Sequence, residues 1–255
     1  MTSGTSFTAK CSENHCIQVL HDGTYVWGLN SSRGNRFGQL GRRPSSSRST
    51  AARHDGDQLP YDDIKVPRKI PMECSTAAAG GSKDSGHTLL VDRKGQVWAC
   101  GCDRWQQLGL GSTEAGAAGY TWKEGKLWQH DPQKVHALSH QVVVAVAAGA
   151  DHSVALSDLG EVWTWGRGEH GQLGQQGRPF VMPPTKSVEL SGSSGQRVKS
   201  ILAEGNCTGA LLVRKGDDGT TSTLLKSVGR CSNEILDMWR KTYDGKEDIE
   251  MTPKT

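Results

Sequence analysis

The chain has 255 residues, a net charge of +3 and 35% hydrophobic residues, enough for one large or two small domains. That charge is too mild to argue by itself for nucleic acid or an anionic membrane. No run of about 18 apolar residues occurs and the N-terminal segment lacks the apolar core of a signal peptide, so neither a membrane-spanning helix nor secretion is expected.

In chain order, the first unit spans residues 6–41. It reads as a strand from His15, a turn at Asp22-Gly23, a second strand ending Trp27-Gly28, and a corner closing on Gly38-Gln39-Leu40-Gly41. Residues 42–63 are polar and aperiodic, cannot bury a face, and read as an inserted loop.

The second unit, 64–110, repeats the first. It has a lead-in from Pro67 to Ala78-Ala79-Gly80, then Gly86-His87, Lys94-Gly95, Val97-Trp98 and finally Gln107-Leu108-Gly109. Residues 111–131 read as a second insertion. Its Tyr120, Trp122 and Trp128 stand close to Lys123 and Lys126. Either the rings fold back onto the body, or the segment is a partner-binding lip, since Trp and Tyr are favoured interface anchors.

The third unit, 132–174, is the clearest copy: His152, Asp158-Leu159-Gly160, Val162-Trp163-Thr164-Trp165-Gly166, then Gly171-Gln172-Leu173-Gly174. The fourth, 184–236, is eroded. It places Thr208 where a histidine is expected and aligns Val228-Gly229 through Leu236 with Trp165-Gly166 through Leu173. Residues 237–255 read as a charged tail.

A unit of this length repeated in step is the mark of a repeat architecture. The pattern Gly-x-x-His, then Asp-Gly-x-Val-Trp-x-Trp-Gly, then Gly-Gln-Leu-Gly resembles the repeat of the regulator of chromosome condensation family. That resemblance implies an all-β fold: a β-propeller built of four-stranded blades. Four units would make an incomplete propeller, about half of a seven-bladed ring. An open sector leaves blade faces uncovered at both ends. A longer parent chain, completion by another chain or a second copy, or a stable open sector within an assembly would each resolve that.

On this reading His15, His87 and His152 are structural, part-buried rings bonded to backbone, since repeat-related positions lie on different blades. Trp27, Trp98, Trp165 and the following Gly166 supply inter-blade packing, each buried ring contributing about 2–3 kcal/mol. Leu40, Leu108 and Leu173 plug the gap to the next blade. The run Val142–Ala148 is expected to be covered on both faces. Seven cysteines, an odd number without Cys-x-x-Cys, predict free thiols in a reducing intracellular compartment (cytoplasm, nucleus or an organelle) and no disulfide framework.

The chemistry-bearing motifs fail on context. Gly166-Arg-Gly168-Glu-His-Gly171 matches a dinucleotide fingerprint, but no helix-forming segment follows it. No catalytic set and no metal or cofactor site is expected. The resemblance implies a non-catalytic protein-interaction module, with guanine-nucleotide exchange on a small GTPase as an alternative and a chromatin- or organelle RNA-associated role as a second. No exchange residue can be assigned.

Overall fold

The computed structural model describes residues 9–29, 39–41, 65–83, 85–111, 120–123, 126–193, 195–216, 220–243 and 249–251. The insertion expected at 42–63 lies outside the described residues.

The strands assemble into sheets in chain order. Strands β1 (Lys10–Cys11), β2 (His15–Leu20), β3 (Gly23–Gly28) and β4 (Arg68–Ile70) form the first sheet. The second contains β5 (Cys74–Gly80), β6 (His87–Asp92) and β7 (Val97–Cys102), then β9 (Lys126–Lys134) and β8 (Tyr120–Lys123) in the order β7-β9-β8. After a short 3-10 turn at His136–Leu138, the third holds β10 (Val143–Ala148), β11 (His152–Ser157), β12 (Val162–Arg167) and β13 (Phe180–Lys186). The fourth holds β14 (Gln196–Glu204), β15 (Cys207–Lys215) and β16 (Thr221–Gly229), then, past helix α1 (Asn233–Tyr243), β17 (Ile249–Met251).

The proline lead-ins are placed differently from the expectation. Arg68–Ile70 pairs with β3, Gln133 and Lys134 pair with β7, and Phe180–Lys186 pairs with β12. Each lead-in strand therefore closes the preceding blade, and the structural unit is offset from the sequence repeat. Of the segment 111–131, expected as an insertion loop, residues 120–123 and 126–131 form β8 and the start of β9, which pair antiparallel. Residues 237–243 and 249–251 of the expected tail are likewise structured. The first of these stretches continues α1, and the second forms β17, which runs parallel to β16.

Neighbouring blades share apolar clusters. Ile17, Val26 and Leu40 of the first blade pack with Ala77, Ala79 and Leu90 of the second. Leu89, Val91 and Leu108 of the second pack with Val146, Ala155 and Trp165 of the third. Val154 and Val162 of the third pack with Ile201, Ala210 and Leu212 of the fourth. Alternation along β11 and β15 sends successive side chains to opposite neighbours, so these central strands are apolar on both faces.

Coverage of Val142–Ala148 is incomplete. Val143 and Val146–Ala148 are buried, but Val142 and Val144 are each 49% exposed. A bulge between Val143 and Ala145 turns Val144 outward, and β5 and β14 carry the same irregularity at Cys74/Thr76 and Val198/Ser200. The inner strands β1, β5, β10 and β14 border a central opening of about 740 Å³, lined by small residues such as Ala78, Gly80, Ala148 and Ala203.

Candidate functional site

The histidines define the joints between blades. In each of the first three sheets the histidine faces the glycine of the Trp-Gly position: His15 pairs with Gly28, His87 with Gly101 and His152 with Gly166. All three rings are fully buried. Each meets a hydroxyl of the next blade: His15 Nε2 lies 2.7 Å from Thr88 Oγ1, His87 Nε2 3.1 Å from Ser153 Oγ, and His152 Nε2 2.7 Å from Thr208 Oγ1.

Those hydroxyls donate to the corner glutamine carbonyls of the earlier blade. Thr88 Oγ1 donates to Gln39 O at 2.5 Å, Ser153 Oγ to Gln107 O at 2.7 Å, and Thr208 Oγ1 to Gln172 O at 2.7 Å. With its proton so committed, each hydroxyl accepts from the imidazole, which fixes the Nε2–H tautomer. Burial pushes the imidazole pKa of His15 and of His152 down to about 3, with His87 adding repulsion, and that of His87 down to about 4. The rings are therefore neutral donors near pH 7.

This geometry corrects two expectations. Each histidine reaches a side-chain hydroxyl across the blade gap, and among the described residues only His87 also has a backbone partner, at His152. And Thr208 does not stand in the histidine slot: Cys207 pairs with Gly229, so Cys207 holds that slot and Thr208 holds the hydroxyl slot of Thr88 and Ser153. The eroded fourth unit hid this one-residue shift, because no histidine marks its register.

The aromatic positions also divide. Trp27 and Trp165 stand directly before the paired glycine, where the second blade has Cys100, whereas Trp98 corresponds to Trp163. Trp165 is fully buried and its Nε1 donates to Gln107 O at 2.8 Å. Trp98 is half-buried and donates to Asp92 Oδ2 at 3.0 Å. Gly166 sits at φ +99°, a backbone region that its position demands and L side chains avoid. Leu40 and Leu108 lie in the clusters shared with the next blade, and Leu173 is buried beside Gly168.

Of the aromatic-basic segment, Trp128 is buried at 7% exposure against Cys102, so it is not an exposed anchor. Its strand pairs with β7, which turns the ring into the sheet's packing. The side chains of Tyr120, Trp122, Lys123 and Lys126 lie outside the described residues.

The cysteine expectation is corrected as well. Cys11 and Cys16 form a disulfide, as do Cys207 and Cys231, while Cys74, Cys100 and Cys102 are free and buried. Cys11 and Cys16 are direct cross-strand partners on β1 and β2, a proximity that strand pairing creates.

A surface cluster that the sequence reading did not find spans blades two and three. Trp105, in the corner before Gln107-Leu108, is half-buried, with the Arg167 guanidinium 4.4 Å and the Arg104 guanidinium 5.5 Å from its ring centre. Arg167 is held in turn by Glu169 at 2.5 Å and Asp151 at 3.5 Å. The available signal was Arg104-Trp105 beside a corner motif. Its partner Arg167 belongs to another blade, so spacing could not reveal it. The Gly166–Gly171 segment passes into turns, not a helix. Among the described residues no group of three or more His, Cys, Asp or Glu side chains could hold a metal ion, and no helix is long and apolar enough to cross a membrane.

Comparison with known proteins agrees with this architecture. The regulator of chromosome condensation (RCC1) repeat model matches residues 94–156 and 160–211, and a second model of the repeat matches 143–172. The chain is 28% identical to the ultraviolet-B receptor UVR8 of Arabidopsis thaliana, over 74% of this chain and 36% of the receptor. It is 31% identical to Protein RCC2 of Mus musculus, over 60% of this chain and 26% of that protein. Among solved structures, Prp20p of Saccharomyces cerevisiae aligns with a TM-score of 0.57 at 21% identity, covering 93% of this chain and 47% of Prp20p. The chain thus spans well under two thirds of these relatives' lengths. It carries regulator of chromosome condensation repeats, and it folds them into an incomplete β-propeller.

Proposed function

We propose that this chain is a non-catalytic protein-interaction module whose contact surface centres on Trp105 and Arg167. The observation that carries this reading is the stacked aromatic–arginine cluster bridging two blades. Trp and Arg dominate the energetics of protein interfaces, and a guanidinium already fixed by Asp151 and Glu169 loses little freedom on binding. The inter-blade joints hold both residues on a stiff frame. Support for protein partners comes from Prp20p, whose structure is reported with its binding to Gsp1p and histones. Intracellular residence belongs to the same proposal.

The test is affinity capture with Trp105→Ala and Arg167→Ala beside the unaltered chain. Each substitution is expected to weaken a specific partner by about tenfold or more, the scale of an interface hot spot. Undiminished capture by both variants would remove this surface. Guanine-nucleotide exchange is assayed separately, by release of labelled GDP from a small GTPase. No acceleration by this chain alone is expected, and acceleration would favour the exchange reading.

A further inference from the structure

The far face of the fourth blade is the one a fifth blade would cover. The register identifies it. Side chains at the histidine position, two residues on and four residues on point toward the following blade: Leu89 and Val91 do so in the second, and Val154 and Leu156 in the third. The matching residues of the fourth are Cys207, Gly209 and Leu211. They do not lie bare. Cys207, Leu211 and Leu225 pack with Leu236 and Trp239 of α1, both at most 6% exposed, and with part-buried Leu202 and Ile235.

Three features by which each earlier blade grips its successor are changed together here. The histidine becomes Cys207, and the residue paired with it is Glu204, where Gly80 and Gly149 are packed against histidine rings. The Gln-Leu corner becomes Ile235-Leu236. Leu236 follows Gly229 by seven residues, as Leu108 follows Gly101 and Leu173 follows Gly166, but it arrives on a helix. Ser232 starts that helix, its Oγ accepting from Ile235 N at 3.2 Å. Finally, the position held by Ile17, Leu89 and Val154 becomes Gly209, and a Cβ there would stand 2.5 Å from the Trp239 ring. The indole fills the space that the other blades give to an aliphatic side chain.

We infer that α1 is a built-in cap. It occupies the place of the next blade and closes this end of the stack, so the fourth blade accepts neither a fifth blade nor a second copy. The Cys207–Cys231 disulfide ties the start of the cap to the strand it covers. An eleven-residue helix is too short to persist alone in water, so its order must come from this packing.

Hydrogen exchange of the unaltered protein at two concentrations tests this. Amides of 236–243 should exchange at least about tenfold more slowly than in the isolated 230–243 peptide, whatever the concentration. Gly209→Leu, which restores the residue type of the other blades, should abolish that protection and produce concentration-dependent association by light scattering. Protection in β6 and β11 should persist, which shows that the other blades remain folded. Met238→Asp, on the exposed side of α1, should change neither readout. The cap is overturned if the segment exchanges like the peptide, if its protection appears only as the protein self-associates, or if Gly209→Leu leaves protection and size unchanged.

Discussion

The imidazole of His152, in the third blade, donates from Nε2 to Thr208 Oγ1 in the fourth, 2.7 Å away and out of contact with water. The same hydroxyl donates a hydrogen bond to Gln172 O, so one side chain of the fourth blade satisfies two groups of the third. His152→Ala removes the donor and leaves a buried void. A loss of roughly 2–4 kcal/mol in folding stability by denaturant titration is expected, against about 0.5 kcal/mol or less for His170→Ala at the neighbouring corner.

The joints make stability depend on pH in a definite sense. The folded-state pKa values of His15, His87 and His152 are about 3, 4 and 3, well below the ordinary value of 6.5. The unfolded chain therefore binds protons that the folded chain refuses. The stabilisation is fully present above about 6.5 and declines as pH falls toward 4, at roughly 1 kcal/mol per pH unit for each histidine. The denaturation midpoint should fall steadily across that window, and His152→Asn should flatten the slope. A midpoint constant between pH 6.5 and 4.5 would contradict buried neutral histidines.

Gly149 and Gly205 approach each other at the joint between the third and fourth blades but should respond differently to alanine. A Cβ on Gly149 would lie 2.1 Å from His152 Cε1, whereas one on Gly205 meets nothing within 4 Å and is strained only by its φ of +53°. Gly149→Ala is expected to cost about 2 kcal/mol or more by overpacking, and Gly205→Ala about 1 kcal/mol. Thermal or chemical unfolding of the two variants compares them directly.

Thiol counting separates the two disulfides from a fully reduced chain. Of seven cysteines, Cys74, Cys100 and Cys102 are free, so alkylation of the unfolded, unreduced protein should add three groups, and reduction first should raise this to seven. Cys231→Ser should lower stability by roughly 3 kcal/mol, the entropy scale of closing such a loop, and loosen α1 first.

The sequence alone determined the blades. A strand, a glycine turn, a second strand and a Gln-Leu-Gly corner are local patterns. Their residues lie within one unit, so fixed spacing in His15, His87 and His152 exposed the repeat, and Leu40, Leu108 and Leu173 followed from it. What joins one blade to the next was not legible. His15 reaches a residue 73 positions away, His87 one 66 away and His152 one 56 away, and no periodicity names such partners. The same limit hid the pairing of Trp105 with Arg167, and it left the lead-in strands assigned to the wrong blade. Only the tertiary structure decided the fate of 233–243. These residues are polar by composition, and they fold because Gly209 leaves room for Trp239 on a face that would otherwise be open to water.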